Sequence, residues 1–433
     1  METTVADQIA EFDLIYKPGV PDNLQDLDLP LPMVEDLMLR YLYAKGASRL
    51  SKISDALKLS FPVIDALFQQ LRKRQLFEVT GMEGNDYAFT LSGIGQEFAF
   101  NRFKICHYTG PAPVSAKNYF AAVRAQVAKL HIDKSFLKKS LSDLVLTDSF
   151  LDQLGPALIS QNSIFLYGPT GNGKTSVVTR LARIYQDAVL IPYAVEFDGQ
   201  IIVMYDPAVH ERVDSNVSGI DPRWVLCRRP CILVGGELEP KMLELQLEES
   251  TQVYAAPLQM RANNGMLVID DFGRQILSPE YLLNRWIVPL DRRVDYLTLR
   301  YGVKFQIPFE MIVVFSTNLD PDDLADEAFL RRIQNKIHME TANSKVFDEI
   351  FNRLVTKGNY PCEPNSVEYL RKLCLHLGPK ELRACYPRDI INILVAISGY
   401  EGQAVEVNKA NLERAVRLYF TKTMTNTKKQ TQT

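Results

Sequence analysis

The chain has 433 residues, of which 46% are hydrophobic and 23% are charged, and its formal net charge is -3. This length exceeds one ordinary hydrophobic core and predicts about two to four domains. Because the chain is nearly neutral, its overall charge gives no reason to bind nucleic acid or an acidic membrane surface. The composition excludes a largely disordered chain and a disulfide-rich secreted scaffold.

The N-terminal residues 1–16 are acidic and contain no basic cluster before Lys17, so we expect no secretory signal. No apolar run is long enough to span a bilayer, and we therefore expect a cytoplasmic protein without membrane insertion. Cys227 and Cys231 lack zinc-site spacing and are expected to be free thiols. Residues 1–31 are interrupted by prolines and aspartates, which predicts an N-terminal arm.

Residues 32–104 predict a small helical domain that includes a β-hairpin. Three helices followed by a two-stranded wing are typical of a winged helix-turn-helix domain, whose third helix often reads DNA. The basic cluster 72–74 lies at the C-terminal end of that third helix, and the opposite end, 61–63, is apolar. This pattern favours protein docking, while DNA binding stays open. The helices are expected around residues 34–42, 53–57, 63–71 and 94–103, and the strands at 77–80 and 87–91.

An apolar run at 164–167 predicts a buried strand that leads into a complete phosphate-binding P-loop. Its glycines let backbone N–H groups turn toward a phosphate, and the helix that follows adds free N–H groups. We expect Lys174 to contact the β and γ phosphates of ATP and the Thr175 hydroxyl to bind Mg²⁺. The helix is expected to continue through Leu181. The loop residues are Gly168, Pro169, Thr170, Gly171, Asn172, Gly173, Lys174, Thr175 and Ser176.

Two further apolar runs, 266–269 and 311–315, predict buried strands that end in polar residues. Asp270 follows the first run, and an acidic residue at the end of a strand beside a P-loop is placed to hold Mg²⁺ through water. Asp271 is then the candidate that polarises the attacking water. Asn318 places an amide just beyond the end of the second strand.

The order of these motifs resembles the AAA+ superfamily of ATPases over roughly residues 135–420. By this resemblance Gly168 to Thr175 corresponds to the Walker A motif, Asp270 and Asp271 correspond to Walker B, and Asn318 corresponds to sensor 1. Most members carry Glu where this chain has Asp271. The shorter side chain predicts slow hydrolysis.

The same resemblance implies three functional arginines. The segment 327–332 is similar to the arginine-finger segment, which leaves Arg331 and Arg332 as candidates. We expect Arg332 because it directly precedes the apolar Ile333. Arg388 lies in a Pro-Arg-Asp segment that looks like sensor 2.

Two β-hairpins are also expected, at 295–309 and at 189–205, the second turning at Asp198-Gly199. The first resembles the pre-sensor-1 hairpin of MoxR-type chaperones, magnesium chelatase subunits and σ54 activators. Together with the winged helix, the arrangement looks most like bacterial ATPases with predicted chaperone activity.

The expected fold is therefore α/β: a P-loop AAA+ three-layer αβα module with a C-terminal helical lid, preceded by a winged helix-turn-helix domain. The expected boundaries are 1–31 for the arm, 32–104 for the winged helix-turn-helix domain, 105–134 for a linker and helix, 135–340 for the AAA+ domain, 341–420 for the lid and 421–433 for a polar tail.

The resemblance implies ATP hydrolysis with Mg²⁺ as cofactor. It also implies a homo-oligomer, most simply a hexameric ring, because an arginine finger acts on the nucleotide of a neighbouring subunit. Two functions stay open: chaperone-like remodelling of a protein client, and ATP-controlled DNA binding or transcription regulation through the winged helix. A DNA reader would lose affinity steeply with salt, whereas a protein adaptor need not.

Overall fold

The computed structural model describes residues 14–214, 219–324 and 330–420, without the side chains of residues 322 and 323. The helices are α1 (Leu31–Lys45), α2 (Leu50–Leu57), α3 (Phe61–Lys73), α4 (Gly93–Ile105), α5 (Ala116–Ala125), α6 (Lys134–Ser140), α7 (Asp148–Ser160), α8 (Lys174–Val178), α9 (Leu258–Arg261), α10 (Pro279–Arg292), α11 (Pro321–Leu324), α12 (Ser344–Gly358), α13 (Ser366–Leu377), α14 (Cys385–Glu401) and α15 (Lys409–Tyr419).

The strands are β1 (Ser48–Arg49), β2 (Phe77–Glu83), β3 (Asp86–Leu91), β4 (Val114–Ser115), β5 (Ile164–Tyr167), β6 (Ala188–Pro192), β7 (Ala194–Phe197), β8 (Gln200–Val203), β9 (Trp224–Arg228), β10 (Cys231–Val234), β11 (Gln246–Glu248), β12 (Val253–Ala255), β13 (Met266–Ile269), β14 (Val294–Thr298), β15 (Lys304–Pro308), β16 (Ile312–Thr317) and β17 (Asn335–His338). The chain folds into two compact units. Of the described residues, the first unit takes those within 14–130, 185–268 and 275–313, and the second takes those within 131–184, 269–274 and 314–420.

The N-terminal part of the first unit contains the helices and strands expected between residues 32 and 104. A short additional strand, β1, pairs with β3 and gives an antiparallel sheet of order β1-β3-β2. Phe68 of α3 packs against Phe77 and Phe89 of this sheet, with ring centroids 5.8 and 4.5 Å apart. The apolar face of α3 is therefore used in the core of this part of the chain.

The segment 14–30 contains no helix or strand, yet the first unit holds it in place. Leu14 and Leu27 are buried in two hydrophobic clusters of that unit. The backbone N–H of Asp221 donates to the carbonyl of Pro18 at 3.0 Å, and Asp221 itself forms a buried ion pair with Arg223 at 2.7 Å. The described part of the N-terminal arm is thus built into the first unit.

The hairpin β7–β8 turns at Asp198 and Gly199, whose φ angles are 50° and 75°, as the sequence predicts. The expected hairpin range of 189–205 was too long, however, because Val189 belongs to β6. That strand pairs antiparallel with β9 instead of continuing the hairpin. All five residues of β6 are buried, which requires cover on both faces of the strand.

Two further groups of strands complete the first unit. The sheet of order β11-β12-β8-β7-β4 contains the β7–β8 hairpin. Strands β14 and β15 pair antiparallel, as expected for the hairpin at 295–309. In the same unit, backbone hydrogen bonds join the start of β13 to a segment on each side. Met266 N donates to Pro230 O before β10, and Ile312 N at the start of β16 donates to Gly265 O.

The second unit is built around β5, which lies between β16 and β17 and runs parallel to both. Tyr167 at the end of β5 is opposite Thr317 and His338. The carboxyl ends of these three strands therefore share one edge, where the loops of parallel α/β sheets build ligand sites.

The helix after the P-loop is shorter than expected, because α8 ends at Val178 and a 3₁₀ turn follows at Leu181–Ile184. Side chains compete there for the carbonyls that a longer helix would use. The Thr179 hydroxyl donates to Thr175 O at 2.9 Å, and the guanidinium of Arg180 donates to Ser176 O at 2.8 Å. Such local hydrogen bonds interrupt regular helix.

The helices α12 to α15 form a cluster with its own hydrophobic core in the second unit. Phe347, Phe351, Leu370, Ile390 and Leu412 are fully or almost fully buried in it. These helices match the apolar periodicity that the sequence shows between residues 348 and 419. Within the described part of the chain, no helix is both long and apolar enough to cross a membrane.

Candidate functional site

Three glycines of the P-loop adopt left-handed backbone conformations: Gly168, Gly171 and Gly173 have φ angles of 139°, 79° and 96°. At Gly168 an added Cβ would lie 2.3 Å from the carbonyl oxygen of Met339, so only glycine fits. Met339 N also donates to Tyr167 O at 2.7 Å, which holds the end of β17 against the loop. The loop shape therefore depends on both the glycine backbone and the neighbouring strand.

Lys174 begins α8 and is 6% exposed. Its Nζ donates to the carbonyl oxygens of Gly168 at 2.7 Å and Pro169 at 2.9 Å. Burial lowers the pKa of Lys174 to about 8, although Asp270 and Asp271 oppose that shift. The ammonium is thus held inside the P-loop by carbonyls of the loop itself, at a position suited to a phosphate oxygen.

The structure brings Asp271 and Asn318 together, each just beyond the end of a buried strand. Asn318 Nδ2 donates to Asp271 Oδ1 at 3.1 Å. The turn that carries Asp271 is held by Phe272, whose N–H donates to Ser316 O and whose carbonyl accepts from the Thr317 hydroxyl, both at 2.7 Å. Asp271 itself has a left-handed φ of 50°, which Asp tolerates better than most residues.

A cavity of about 630 Å³ in the second unit joins these elements. This volume lies in the range of ordinary small-molecule sites, roughly 300–1,000 Å³. The P-loop, Asp270, Asp271 and Asn318 form its polar part. An apolar part is lined by Leu144, Val145, Leu146, Ile350 and Leu354, and basic side chains come from Arg180, Arg353, Lys357 and Arg388.

Our sequence reasoning missed the apolar part of this cavity. Its wall at 144–146 belongs to the loop between α6 and α7, and Arg180, Arg183 and Arg353 fix that loop. Arg180 Nε donates to Asp143 Oδ2 at 2.5 Å, and Arg353 Nη1 donates to Ser142 O at 2.8 Å. The only signal in the sequence was the short apolar run Leu-Val-Leu upstream of the P-loop.

The predicted arginines fall in different places. Arg388 lines the cavity, with 60% of its side chain exposed and its Nε 3.5 Å from Asp389 Oδ1. Arg331 is exposed and Arg332 is half-buried, and neither lines the cavity. Residues 325–329, which include the first part of the predicted finger segment, lie outside the described residues.

Sequence reasoning also missed Arg383, which precedes α14. Its Nη1 donates to the hydroxyl of Thr170 at the tip of the P-loop, at 3.0 Å. No motif pointed to this residue, because the two partners are 213 positions apart in the chain.

The donor set fits a magnesium nucleotide. Thr175 and Asp270 both line the cavity and supply oxygen donors, which Mg²⁺ prefers. Across residues 14–214, 219–324 and 330–420 there is no group of three or more His, Cys, Asp or Glu that could hold a metal by itself. A magnesium ion here would therefore take oxygens of the nucleotide phosphates as ligands in addition to protein oxygens, as is usual for this ion.

Residues 343–418, which contain most of α12 to α15, match a family described as a domain of unknown function, DUF8689. No curated protein matches the chain significantly. Among solved structures, the chain is similar to a Thermotoga maritima RuvB mutant, with 12% identity, a TM-score of 0.36, and coverage of 66% of this chain and 71% of that one. It is also similar to the Thermotoga maritima RuvB Holliday junction branch migration motor, with 15% identity, a TM-score of 0.33, and coverage of 68% and 72%. Likenesses this weak carry no argument about function.

Proposed function

We propose that this protein is an AAA+ type P-loop ATPase that binds ATP with Mg²⁺ in the cavity of the second unit and hydrolyses it. The supporting observation is that a complete P-loop, an acidic pair and a hydrogen-bonded asparagine line one cavity. The apolar wall at 144–146, with Ile350 and Leu354, fits a planar base.

In this proposal the P-loop N–H groups and Lys174 bind the β and γ phosphates. To do so, the Lys174 ammonium exchanges the carbonyls of Gly168 and Pro169 for phosphate oxygens. Thr175 and Asp270 would hold Mg²⁺, which neutralises phosphate charge when it is bound. The field of Lys174 and the loop dipoles favours the charge that develops on the transferred phosphoryl group.

Asp271 is proposed to accept the proton of the attacking water. As the new oxygen bond to the γ phosphorus forms, the bond between that phosphorus and the β–γ bridging oxygen breaks, which releases ADP and phosphate. The Asn318 amide holds Asp271 Oδ1 at 3.1 Å, which leaves Oδ2 to face water. Arg388 is proposed as sensor 2, and Arg332 or Arg331 as a finger that acts on the nucleotide of a neighbouring subunit in a ring.

We propose that ATP hydrolysis drives the remodelling of a protein client. The helices α1 to α4 with their sheet are proposed as a winged helix-turn-helix, α12 to α15 as the lid, and β14–β15 as the pre-sensor-1 hairpin. Tyr301 at the tip of that hairpin is 80% exposed, which suits contact with a protein.

The basic cluster 72–74 supports the same choice, because two of its three cations contact other side chains of the same part of the chain. Arg72 lies over the rings of Phe68 and Tyr87, at 5.9 and 5.7 Å from their centroids, and Arg74 pairs with Glu35 at 2.9 Å. The ion pair with Glu35 offsets one of the three positive charges of the cluster, which leaves less charge for DNA phosphates. An ATP-controlled DNA-binding regulator remains the second candidate.

The first test is calorimetric titration of the full chain with ATP and Mg²⁺, together with a phosphate-release assay. Lys174→Ala should abolish binding, because Lys174 is the cation inside the loop. The matched control is Lys372→Ala, an exposed lysine of α13 that should bind like wild type. Unchanged ATP affinity in Lys174→Ala would overturn the assignment.

A second test distinguishes the remodelling ATPase from the DNA-binding regulator. An Asp271→Asn chain, which should hold ATP without turning it over, is used as bait, and the captured protein and DNA are both identified. DNA that is captured at low salt and lost steeply as salt rises would favour the regulator. A protein that is retained over the same salt range would favour the remodelling ATPase.

A further inference from the structure

The segment that leads into α14 lies directly on the tip of the P-loop. Three consecutive residues, 383–385, make hydrogen bonds to three consecutive loop residues, 170–172. The pairs are Arg383 Nη1 to Thr170 Oγ1 at 3.0 Å, Ala384 N to Asn172 Oδ1 at 3.3 Å, and Cys385 N to Gly171 O at 2.9 Å.

The packing beneath these hydrogen bonds is close. A Cβ added to Gly171 would lie 2.7 Å from Cys385 Sγ and 3.3 Å from Arg383 Cδ. Gly171 is therefore needed for the approach of this segment as well as for its left-handed φ of 79°. Asn172 is buried here, and its amide also donates to Pro169 O at 3.3 Å. The tip of the loop is thus fixed from both sides.

Arg383 is only partly satisfied in this arrangement. Within the described part of the chain its buried Nε has no hydrogen-bond partner. A buried donor of this kind is costly unless a partner arrives. Its charge also reaches Lys174, whose ammonium lies inside the same loop. Arg383 therefore combines a direct bond to the loop with a positive field at the phosphate end of the cavity.

We propose that residues 383–385 act as a strap that positions the P-loop for nucleotide, with Arg383 as its positioning residue. The proposal rests on the proposed ATPase function and adds a link to the helices matched by the family of unknown function. Because the first residue of α14 is bonded to Gly171, a change in the loop on nucleotide binding reaches α14 directly. By reciprocity, the packing of α14 then affects nucleotide affinity.

The direct test is a double-mutant cycle on the bond between Arg383 and Thr170. Arg383→Gln and Thr170→Val should each weaken binding of ATP with Mg²⁺ by about 3- to 10-fold, the usual effect of losing one partly exposed hydrogen bond. The double variant should be no weaker than the weaker single variant, because both remove the same bond. Lys380→Gln, an exposed cation of the same segment, should bind like wild type. Fully additive losses, or wild-type affinity in Arg383→Gln, would overturn the strap.

Steady-state kinetics distinguishes positioning from general loosening of the fold. The strap contacts the loop tip and not Asp271 or Asn318, so Arg383→Gln should raise KM for ATP while kcat stays within about twofold. Arg383→Lys keeps a cation that can reach the Thr170 hydroxyl and should recover part of the lost affinity. An equal fall in kcat across both variants would contradict a positioning role.

Hydrogen exchange of the wild-type chain tests the coupling without any variant. Addition of ATP and Mg²⁺ should slow exchange of the Cys385 amide by about tenfold or more, because its acceptor is Gly171 O in the loop. Unchanged exchange at residues 383–386 in protein that is saturated with ATP would refute the coupling. Failure of the wild-type chain to bind ATP would instead refute the proposed function, so the two failures are distinguishable.

Discussion

Replacing Gly168 with alanine should destabilise the second unit far more than the same change at Gly173. Both glycines belong to the P-loop and both have left-handed φ angles, 139° and 96°. They differ in their surroundings. A Cβ at Gly168 would lie 2.3 Å from Met339 O and 3.1 Å from Met339 C, whereas a Cβ at Gly173 would meet nothing within 4 Å.

The expected loss of stability has two parts, the cost of the φ angle and the cost of relieving the steric overlap. A left-handed conformation costs a non-glycine residue about 1–2 kcal/mol, and this is the whole penalty at Gly173. A φ of 139° lies in a region that is nearly exclusive to glycine and costs about 1–3 kcal/mol. Moving the backbone at Met339 to relieve the overlap adds about 1–3 kcal/mol. Gly168→Ala should therefore cost about 2–6 kcal/mol, with loss of ATP binding because the loop shifts.

The assay must measure the stability of the second unit separately from that of the first. Both tryptophans, Trp224 and Trp286, lie in the first unit, so intrinsic fluorescence is unsuitable. Hydrogen exchange of peptides from β5, β16 and β17 in nucleotide-free protein measures the local free energy of opening. Gly402→Ala, a left-handed helix-end glycine with no atom within 4 Å of an added Cβ, is the control for the φ penalty alone. Equal losses for Gly168→Ala and Gly173→Ala would refute the steric argument.

Asp271→Asn should keep ATP binding and lower turnover by about 10²- to 10⁴-fold, because the amide cannot accept the proton of water; phosphate release at wild-type rate would place the base elsewhere. Arg332→Ala should bind ATP normally and lose about 10³-fold or more in turnover. Mixing it with Lys174→Ala chains should restore part of the activity, and no gain in assemblies that sizing shows to be mixed would exclude action in trans. Arg223→Met should destabilise the first unit by about 3–5 kcal/mol, since it leaves the buried carboxylate of Asp221 without its ion pair. Urea unfolding followed by tryptophan fluorescence measures that loss, which should shrink when Asp221→Asn is added.

The local features of this protein followed from its sequence. The strand at 164–167 and the turn at Asp198-Gly199 are where their residue types predict them. The helices of the C-terminal cluster also coincide with their apolar periodicity. Each of these features depends on neighbours a few positions away, which the sequence displays directly. The positions of Asp271 and Asn318, each just beyond a buried apolar run, also follow from the sequence.

Other features depended on contacts between distant residues. Whether β6 would extend a hairpin or pair with β9 was decided by burial of both its faces. The apolar wall at 144–146 became part of a cavity only because arginines from other segments hold its loop. Arg383 carries no motif, and its role depends on a bond to Thr170 across 213 positions. Composition and periodicity report which face of an element is apolar, but not which distant partner satisfies its polar groups, and that choice is made only when the chain packs.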